Sequence, residues 1–474
     1  MSKTFKAPTG TYDFLPEDHD FFTFLKKVIR HRFRQSGFRR ISVPAFEESG
    51  MFEKALGMSS KIIQRELYNF TDRHNRRFSL RPEMTAGITR SFIEHEMHKL
   101  ALPVELYYVG HCFRFGLPKS NTQRSFWQFG AEILGESDPS IDAQLIYLGH
   151  RILSDLRIRE LCELKINTIG SVEDREKYIE ALANFYAGKE RSLTPASQEN
   201  LENKKYLSLL NPQNEDEAIL VKMAPKITEF LSPESQKFFD ETLAHINSFG
   251  IKYSIDPTLV RPIEYSAHTI FEFSEKKKPN KIITGGRYDG LIEKMGGPDL
   301  GGAGFSGGVE RIIDLMKRNN LDVPHKDDLH IFVAATGGSM AKKAALPLLI
   351  QLREHGYHAV GVLGKASMQE QLLRAQKFGV PYTILVGDLE VKKKKLLVRD
   401  MKSGKTEEIS IEKMLPHMDK LLGAPTALDT TEDFLGHKGP NYKLRMPNDE
   451  GKKRSEKHNS AKKLSILFEN YKTL

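Results

Sequence analysis

The sequence predicts an α+β amino-terminal region organised on a sheet, a helical insertion within it, and a carboxy-terminal α/β unit. Three observations carry this reading. Strand-like apolar runs recur between residues 39 and 134 and again after residue 269. Between Ser171 and Phe249 they give way to charged helical segments separated by polar linkers such as ERSLTPASQEN and LNPQNEDE. From about Asp327 onward three short apolar runs alternate with two helical segments, the βαβαβ pattern of a parallel sheet. The implied boundaries are 1–325 for the first unit with its insertion at about 171–249, 327–423 for the second, and a basic tail over 424–474.

The elements follow in order. Phe21, Phe24, Leu25, Val28, Ile29 and Phe33 recur at three- and four-residue steps, so an amphipathic helix opens the chain and Gly37 ends it. RRISVPAF reads as a strand, with Pro44 at an edge or bend. FSLRPEMT runs from strand into a helix over Ala86–Met97. VELYYVGHCFRF and SFWQFGAEILG are two strands joined by the polar loop Gly116–Ser125. A helix spans about Pro139 to Leu156, with Asp138 as N-cap and Pro139 at its first position. TIFEFS and KIITGGRYDG resume the strands, and Val309–Asn319 is helical. In the second unit LHIFVAA, YHAVGV and PYTILVG are strands, Met340–His355 and Met368–Phe378 are helices, and LLVRDMKSGKTEEISI is a hairpin. The tail is polar and Lys-rich, which predicts disorder with a short helix at Ala461–Tyr471.

Composition narrows the class. With 474 residues, 39% hydrophobic and 28% charged, the chain suits a soluble multidomain protein. No apolar run reaches the ~18 residues of a membrane span, so no membrane partner is expected. The first residues lack a secretory or transit pattern. Two cysteines, Cys112 and Cys162, exclude a disulfide scaffold and point to a reducing cytoplasm. Of the net charge of +9, +6 falls between His437 and Leu474. The body therefore need not bind nucleic acid on charge alone, and no DNA partner is expected.

A literal G-x-G-x-x-G stands at Gly302, Gly304 and Gly307, but GGPDLG rather than a strand precedes it, so a dinucleotide site is rejected. There is no phosphate-loop motif of the Gly-Lys-Ser/Thr kind and no zinc-spaced His/Cys cluster, so no protein-held metal is expected. What remains is polar residues set in apolar strand-like sequence: Glu83, Arg114, Gln128, Glu132, Arg261, Tyr288 and Arg311. Any one alone reads as a solvated face. Together, two carboxylates and three arginines suit an anionic phosphate substrate beside a small polar or cationic one.

LRPEMTAGITR, YYVGHCFRF with RSFWQFGAEILG, and GGRYDG with GFSGGVERI resemble the motifs of class II aminoacyl-tRNA synthetases, most closely those of the histidyl-tRNA synthetase family. KAPTGTYDFLPED, GSVEDREKY and the second unit are similar as well, so the likeness runs from about Lys6 to Pro416. The resemblance implies a catalytic domain on a mainly antiparallel sheet, a helical insertion, an α/β anticodon-binding domain, and a homodimer with its interface around Pro44. It implies an ATP-dependent histidine–tRNA ligase acting through histidyl-adenylate, with partners ATP, histidine and tRNA(His), and with Mg²⁺ arriving on the nucleotide. Arg114 and Arg311 would hold ATP, and Arg261 would be the catalytic cation with Arg114. Glu83, Thr85, Gln128, Glu132 and Tyr288 would line the amino-acid pocket.

Some positions depart from the family pattern. Where R-G-L-D-Y-Y is usual, the chain has Arg261-Pro262-Ile263-Glu264-Tyr265-Ser266, so a pocket tyrosine is replaced by Ser266. The glutamate expected two residues after Arg114 is Gly116, which removes an adenine contact. Strand alternation puts Ser266 and His268 on one face, so His268 either fills the space of the missing ring or simply packs. Lys392, Lys393, Lys394 and Lys395 are tRNA-phosphate candidates or a solvated edge. The tail lysines offer non-specific RNA affinity or mere solubility. Phe126 and Trp127 either stack on a ligand or, as strand neighbours more often do, belong to the core. Two other functions fit parts of the chain: a non-catalytic paralogue such as the regulatory subunit of ATP phosphoribosyltransferase, which generally lacks the second unit, and an RNA-binding protein on an inactive synthetase scaffold.

Overall fold

The computed structural model describes residues 5–116, 123–261, 265–278, 280–324, 329–362, 364 and 367–425. The expected tail and its terminal helix lie outside them, as do residues 117–122 of the Gly116–Ser125 loop and Pro262–Glu264. The chain divides into two compact units, Met1–His325 and Lys326–Leu474.

The first unit is organised on an eight-stranded sheet. Its order is Arg39–Arg40, Val104–Phe113, Ser125–Leu134, Gly302–Gly308, Lys281–Arg287, Ala267–Glu275, Cys162–Thr168, Ser254–Ile255. The six central strands pair antiparallel, and only the two-residue edge strands run parallel. Period-two alternation decides which side chains meet which face. Tyr107, Phe129, Ala131 and Ile133 join one core with the helices Pro16–Gln35, Pro139–Asp155 and Val309–Arg318. Leu106, Tyr108, Cys112 and Leu134 point the other way, against the helices Ser49–Leu56 and Thr85–Glu94. Gln128 and Glu132 share the parity of Leu134 on their strand and so lie on the second face.

Several expected elements are found close to their expected ends. In Pro16–Gln35 the residues Phe22, Leu25, Ile29 and Phe33 are buried. Asp138 caps Pro139–Asp155 by accepting from the Ser140 amide at 2.8 Å. The rejected glycine motif is the strand Gly302–Gly308. RRISVPAF is not one strand. Arg39–Arg40 joins the large sheet, while Phe46–Glu48 joins a separate three-stranded sheet with Asn69–Thr71 and Arg77–Leu80. Arg81 anchors this crossing by donating to the carbonyls of Val43 (2.6 Å) and Pro44 (3.2 Å).

The stretch expected as an insertion, 171–249, divides between two cores. A core of its own gathers Tyr178, Leu182, Tyr186, Leu209, Leu210 and Ile227. The helix Pro233–Ser248, by contrast, contributes Phe239 and Ile246 to the main core.

The second unit has a five-stranded sheet in the order Ala359–Val362, Ile331–Thr336, Tyr382–Gly387, Lys395–Asp400, Thr406–Ser410. The first three strands are parallel and the last two form an antiparallel hairpin. Asp388 caps the helix Ser339–Glu354 from a distance, accepting from Gly338 N (2.7 Å) and Ala341 N (2.8 Å).

Candidate active site

The polar face of the large sheet holds two adjoining hollows. The larger, about 560 Å³, is lined by Arg114, Phe126 and Gln128 from the paired strands and their loop, and by Glu310 and Arg311 from the first turn of Val309–Arg318. The smaller, about 30 Å³, is lined by Thr85, Arg261, Tyr265, Ser266 and Tyr288. Thr284 and Ser306 line both. The structure thus brings all three candidate arginines to one connected region.

Glu132 lies behind the smaller hollow, bonded to Thr85 and Tyr288, two of the residues that line it. Its Oε2 accepts from the Tyr288 hydroxyl at 2.6 Å and its Oε1 from the Thr85 hydroxyl at 2.8 Å. Burial is the main cause that pushes its carboxyl up to about 8; the Tyr288 and Thr85 bonds pull against it. Glycines make this packing possible. A Cβ on Gly304 would lie 1.8 Å from Glu132 Oε2, and one on Gly302 would lie 2.3 Å from the Tyr288 ring. The motif that resembles a nucleotide fingerprint therefore clears space for two pocket side chains.

Glu83 precedes the helix Thr85–Glu94 and accepts from two of its first amides, Thr85 N (2.7 Å) and Ala86 N (2.9 Å). Burial raises its pKa, against those amides and the Arg114 charge. Arg114 is held by a 2.9 Å bond from Nε to the Pro82 carbonyl and lies 5.5 Å from the centre of the Phe126 ring. Arg311 donates to the Lys281 carbonyl at 2.8 Å. Burial lowers the pKa of both Arg261 and Arg311; Tyr265, Glu272 and Glu132 oppose it at Arg261. Gln128 is buried, with the Cys112 thiol 3.6 Å from its Oε1.

Other expectations change. Phe126 lines the cleft while packing against the core that holds Leu106 and Tyr108, whereas Trp127 packs on Phe22 and His111. His268 does not line the smaller hollow with Ser266. The register shifts between Gly286 and Arg287, His268 takes φ +44°, and its ring stacks on Phe238 at 4.6 Å. A bulge breaks the alternation on which the shared face depended. Lys392–Lys395 are exposed in the second unit, and Lys395 is paired with Glu408.

Sequence reasoning missed Arg287, although it sits inside GGRYDG. Its guanidinium has no exposed side-chain surface and bridges Asp142 (2.9 Å) and Asp289 (3.1 Å). It missed Glu310 too, which accepts from Trp127 N at 2.6 Å beside Arg311. The signal available for Glu310 was its place next to a phosphate-binding candidate.

A family profile described as histidyl-tRNA synthetase matches residues 10–312, and one described as an anticodon-binding domain matches 330–421. The histidine–tRNA ligase of Halothermothrix orenii is 34% identical over 420 residues, covering 88% of this chain and 99% of the relative. That of Thermosynechococcus vestitus is 34% identical over 412 residues, covering 86% and 95%. The apo histidyl-tRNA synthetase of S. aureus superposes with a TM-score of 0.71 at 29% identity, covering 88% of this chain and all of that one.

Proposed function

Because the chain belongs to the histidyl-tRNA synthetase family, we propose how its own side chains divide the work of a histidine–tRNA ligase. The enzyme uses ATP to activate histidine as histidyl-adenylate and passes the acyl group to the 3′ end of tRNA(His). The observation that carries the assignment of roles is the shared wall: the cleft of Arg114 and Arg311 meets the hollow of Arg261, Thr85 and Tyr288 through Thr284 and Ser306.

ATP lies in the larger hollow. A histidine carboxylate oxygen attacks the α-phosphorus, the bridging P–O bond breaks, and pyrophosphate leaves with the electron pair. Such a step asks mainly for alignment and charge neutralisation. Arg114 and Arg311 neutralise phosphate oxygens, and Arg261 faces the α-phosphate where charge accumulates. Histidine occupies the smaller hollow. Glu83 keeps lone pairs free after its two amide bonds and accepts from the substrate ammonium. Glu132 and Tyr288 read the imidazole, which offers one donor and one acceptor when neutral. Gln128 completes the contact to the substrate backbone. At about 30 Å³ the hollow has room for roughly one water, so substrate must widen it and take over bonds that Glu132 now makes to Tyr288 and Thr85.

Mg²⁺ fits as an ion that comes with the nucleotide. No three-carboxylate or histidine cage exists among the described residues, while Glu66 and Asp314 line the cleft. When bound, it supplies charge neutralisation on the phosphates.

We further assign a homodimer, supported by Phe46 and Phe70, which are 49% and 41% exposed on the small sheet and pack edge-on to each other. A cytoplasmic location is supported by two cysteines that are both buried and unpaired. The second unit argues against the regulatory-subunit reading.

Pyrophosphate exchange with each of the twenty amino acids tests the function. Exchange driven by histidine is expected. Exchange driven only by another amino acid moves the substrate, and none at all ends the enzymatic reading.

A further inference from the structure

We propose that Arg175 is a positioning residue for the amino-acid hollow: from outside the hollow it holds the backbone of the segment that carries Arg261 and Ser266. Arg175 lines neither hollow. It stands at the end of the first turn of the helix Val172–Tyr186, and its guanidinium donates a 2.9 Å hydrogen bond to the Ser266 carbonyl. Ser266 is buried, and it lines the smaller hollow together with Tyr265 and Arg261.

The segment is held on both sides of Arg261. Upstream, Asn167 is fully buried in the strand Cys162–Thr168 and donates from Nδ2 to the Leu259 carbonyl at 2.9 Å. Val260 then packs against the core of the insertion. Downstream of Ser266 the chain is stitched to the turn that precedes the Arg175 helix. His268 N donates to the Gly170 carbonyl at 2.8 Å, and Ile169 N to the His268 carbonyl at 2.9 Å. The register shift between Gly286 and Arg287 falls at the same place, so regular strand pairing does not by itself fix how Ser266 enters the sheet. The Arg175 bond supplies that missing restraint.

Arg175 is itself placed by the main body. The preceding residue, Asp174, is buried, and its Oδ2 accepts from Ser171 N at 3.1 Å in a capping box. Its Oδ1 accepts from Ser232 N at 2.9 Å, at the N-cap of the helix Pro233–Ser248. That helix gives Phe239 and Ile246 to the main core. The guanidinium therefore projects from a fixed base. A charged donor on a carbonyl makes the stronger kind of hydrogen bond. Here it acts on the backbone that sets where Arg261 and Ser266 stand, while the walls of the nucleotide cleft at Arg114 and Arg311 come from other elements. This inference rests on the reading of the smaller hollow as the histidine site.

The test uses the full chain with Arg175→Gln and, separately, Arg175→Lys. Pyrophosphate exchange gives kcat/KM for histidine, equilibrium dialysis gives ATP affinity without histidine, and calorimetry gives Tm. In Arg175→Gln, kcat/KM for histidine falls roughly 3- to 30-fold while ATP affinity stays within about twofold and Tm within a few degrees. Arg175→Lys, which keeps a cationic donor, loses less. Unaltered kcat/KM for histidine in Arg175→Gln overturns the proposal. Equal loss for histidine and ATP together with a lower Tm in both variants also overturns it, as does failure of both to fold, since that is what mere support of the fold produces. Wild-type protein without histidine-dependent exchange would instead refute the functional reading.

Discussion

The Tyr288 hydroxyl reaches across the strand of Gly302 and Gly304 to donate a 2.6 Å hydrogen bond to Glu132 Oε2. The bond links Tyr288, which lines the smaller hollow, to a carboxyl 156 positions away in the sequence. It keeps a buried carboxyl supplied with donors when no ligand is present.

Replacing Glu132 by Gln separates stability from activity. The folded carboxyl titrates near 8 against an ordinary 4.5, because burial disfavours its charged form. Between those values the native protein holds a proton that the unfolded chain releases, so this group lowers stability as pH rises from about 4.5 to about 8. Glu132→Gln removes that dependence. Its Tm is therefore higher than wild type at pH 8 and similar at pH 4.5, measured by calorimetry on ligand-free protein. Histidine-dependent exchange near pH 7 falls roughly 3- to 10-fold, the cost of a hydrogen bond between the neutral carboxyl and the substrate.

The arginines of the site divide by what they touch. Arg287 has no exposed side-chain surface and neutralises Asp142, also buried. Arg287→Ala leaves that carboxylate unpaired and costs on the order of 3–5 kcal/mol, read as a large drop in Tm or in soluble yield. Arg261 lines a hollow and is only half-buried. Arg261→Ala keeps its Tm within a few degrees and loses adenylate formation. Normal exchange in Arg261→Ala would show that the charge near the α-phosphate comes from elsewhere.

This contrast marks what the sequence could and could not reveal. Local periodicity revealed the helix bearing Leu25, Ile29 and Phe33, and local chemistry revealed the Asp138 cap. Their setting in apolar strand-like sequence singled out Gln128 and Glu132. Resemblance supplied their roles, and the structure brought the arginines to adjoining hollows. Relations that depend on distant partners were hidden. Arg287 looks like any strand arginine until Asp142, 145 positions away, is placed beside it. The bulge that turns His268 toward Phe238 arises from a register shift between two strands, which neither strand's pattern encodes. The helix Pro233–Ser248 has the same amphipathic stripe whether it packs on the insertion or on the main core, so which of the two it joins was not legible.

Gly116 stands where the family has a glutamate, and the space for one is open. A Cβ there meets no atom within 4 Å, and its φ is not among the positive values. Gly116→Glu is therefore accommodated, with Tm shifted by no more than about 2 °C. It adds a carboxylate acceptor at the edge of the nucleotide cleft. The KM for ATP falls roughly 2- to 10-fold in pyrophosphate exchange, the value of one added hydrogen bond. An unchanged or higher KM would mean that this chain places adenine away from residue 116.

The four lysine candidates for tRNA contact in the second unit differ in how free their charges are. Lys392, Lys393, Lys394 and Lys395 are all exposed, but Lys395 already holds Glu408. An exposed pair of this kind contributes little to stability, yet its charge is partly spent. A lysine that neutralises a phosphate releases condensed cations, so its removal makes the dependence of tRNA affinity on salt less steep. Changing Lys392, Lys393 and Lys394 together to Ala therefore weakens tRNA binding and lowers the slope of log K against log salt by roughly 0.7–0.9 for each phosphate no longer neutralised. Lys395→Ala alone changes the slope less, because it also frees the Glu408 carboxylate. Amino-acid activation, which belongs to the first unit, is unaffected by either change. Filter binding of tRNA between 50 and ~200 mM salt reads the slope. An unaltered slope in the triple variant would assign these lysines to solubility and to guarding the edge of the sheet.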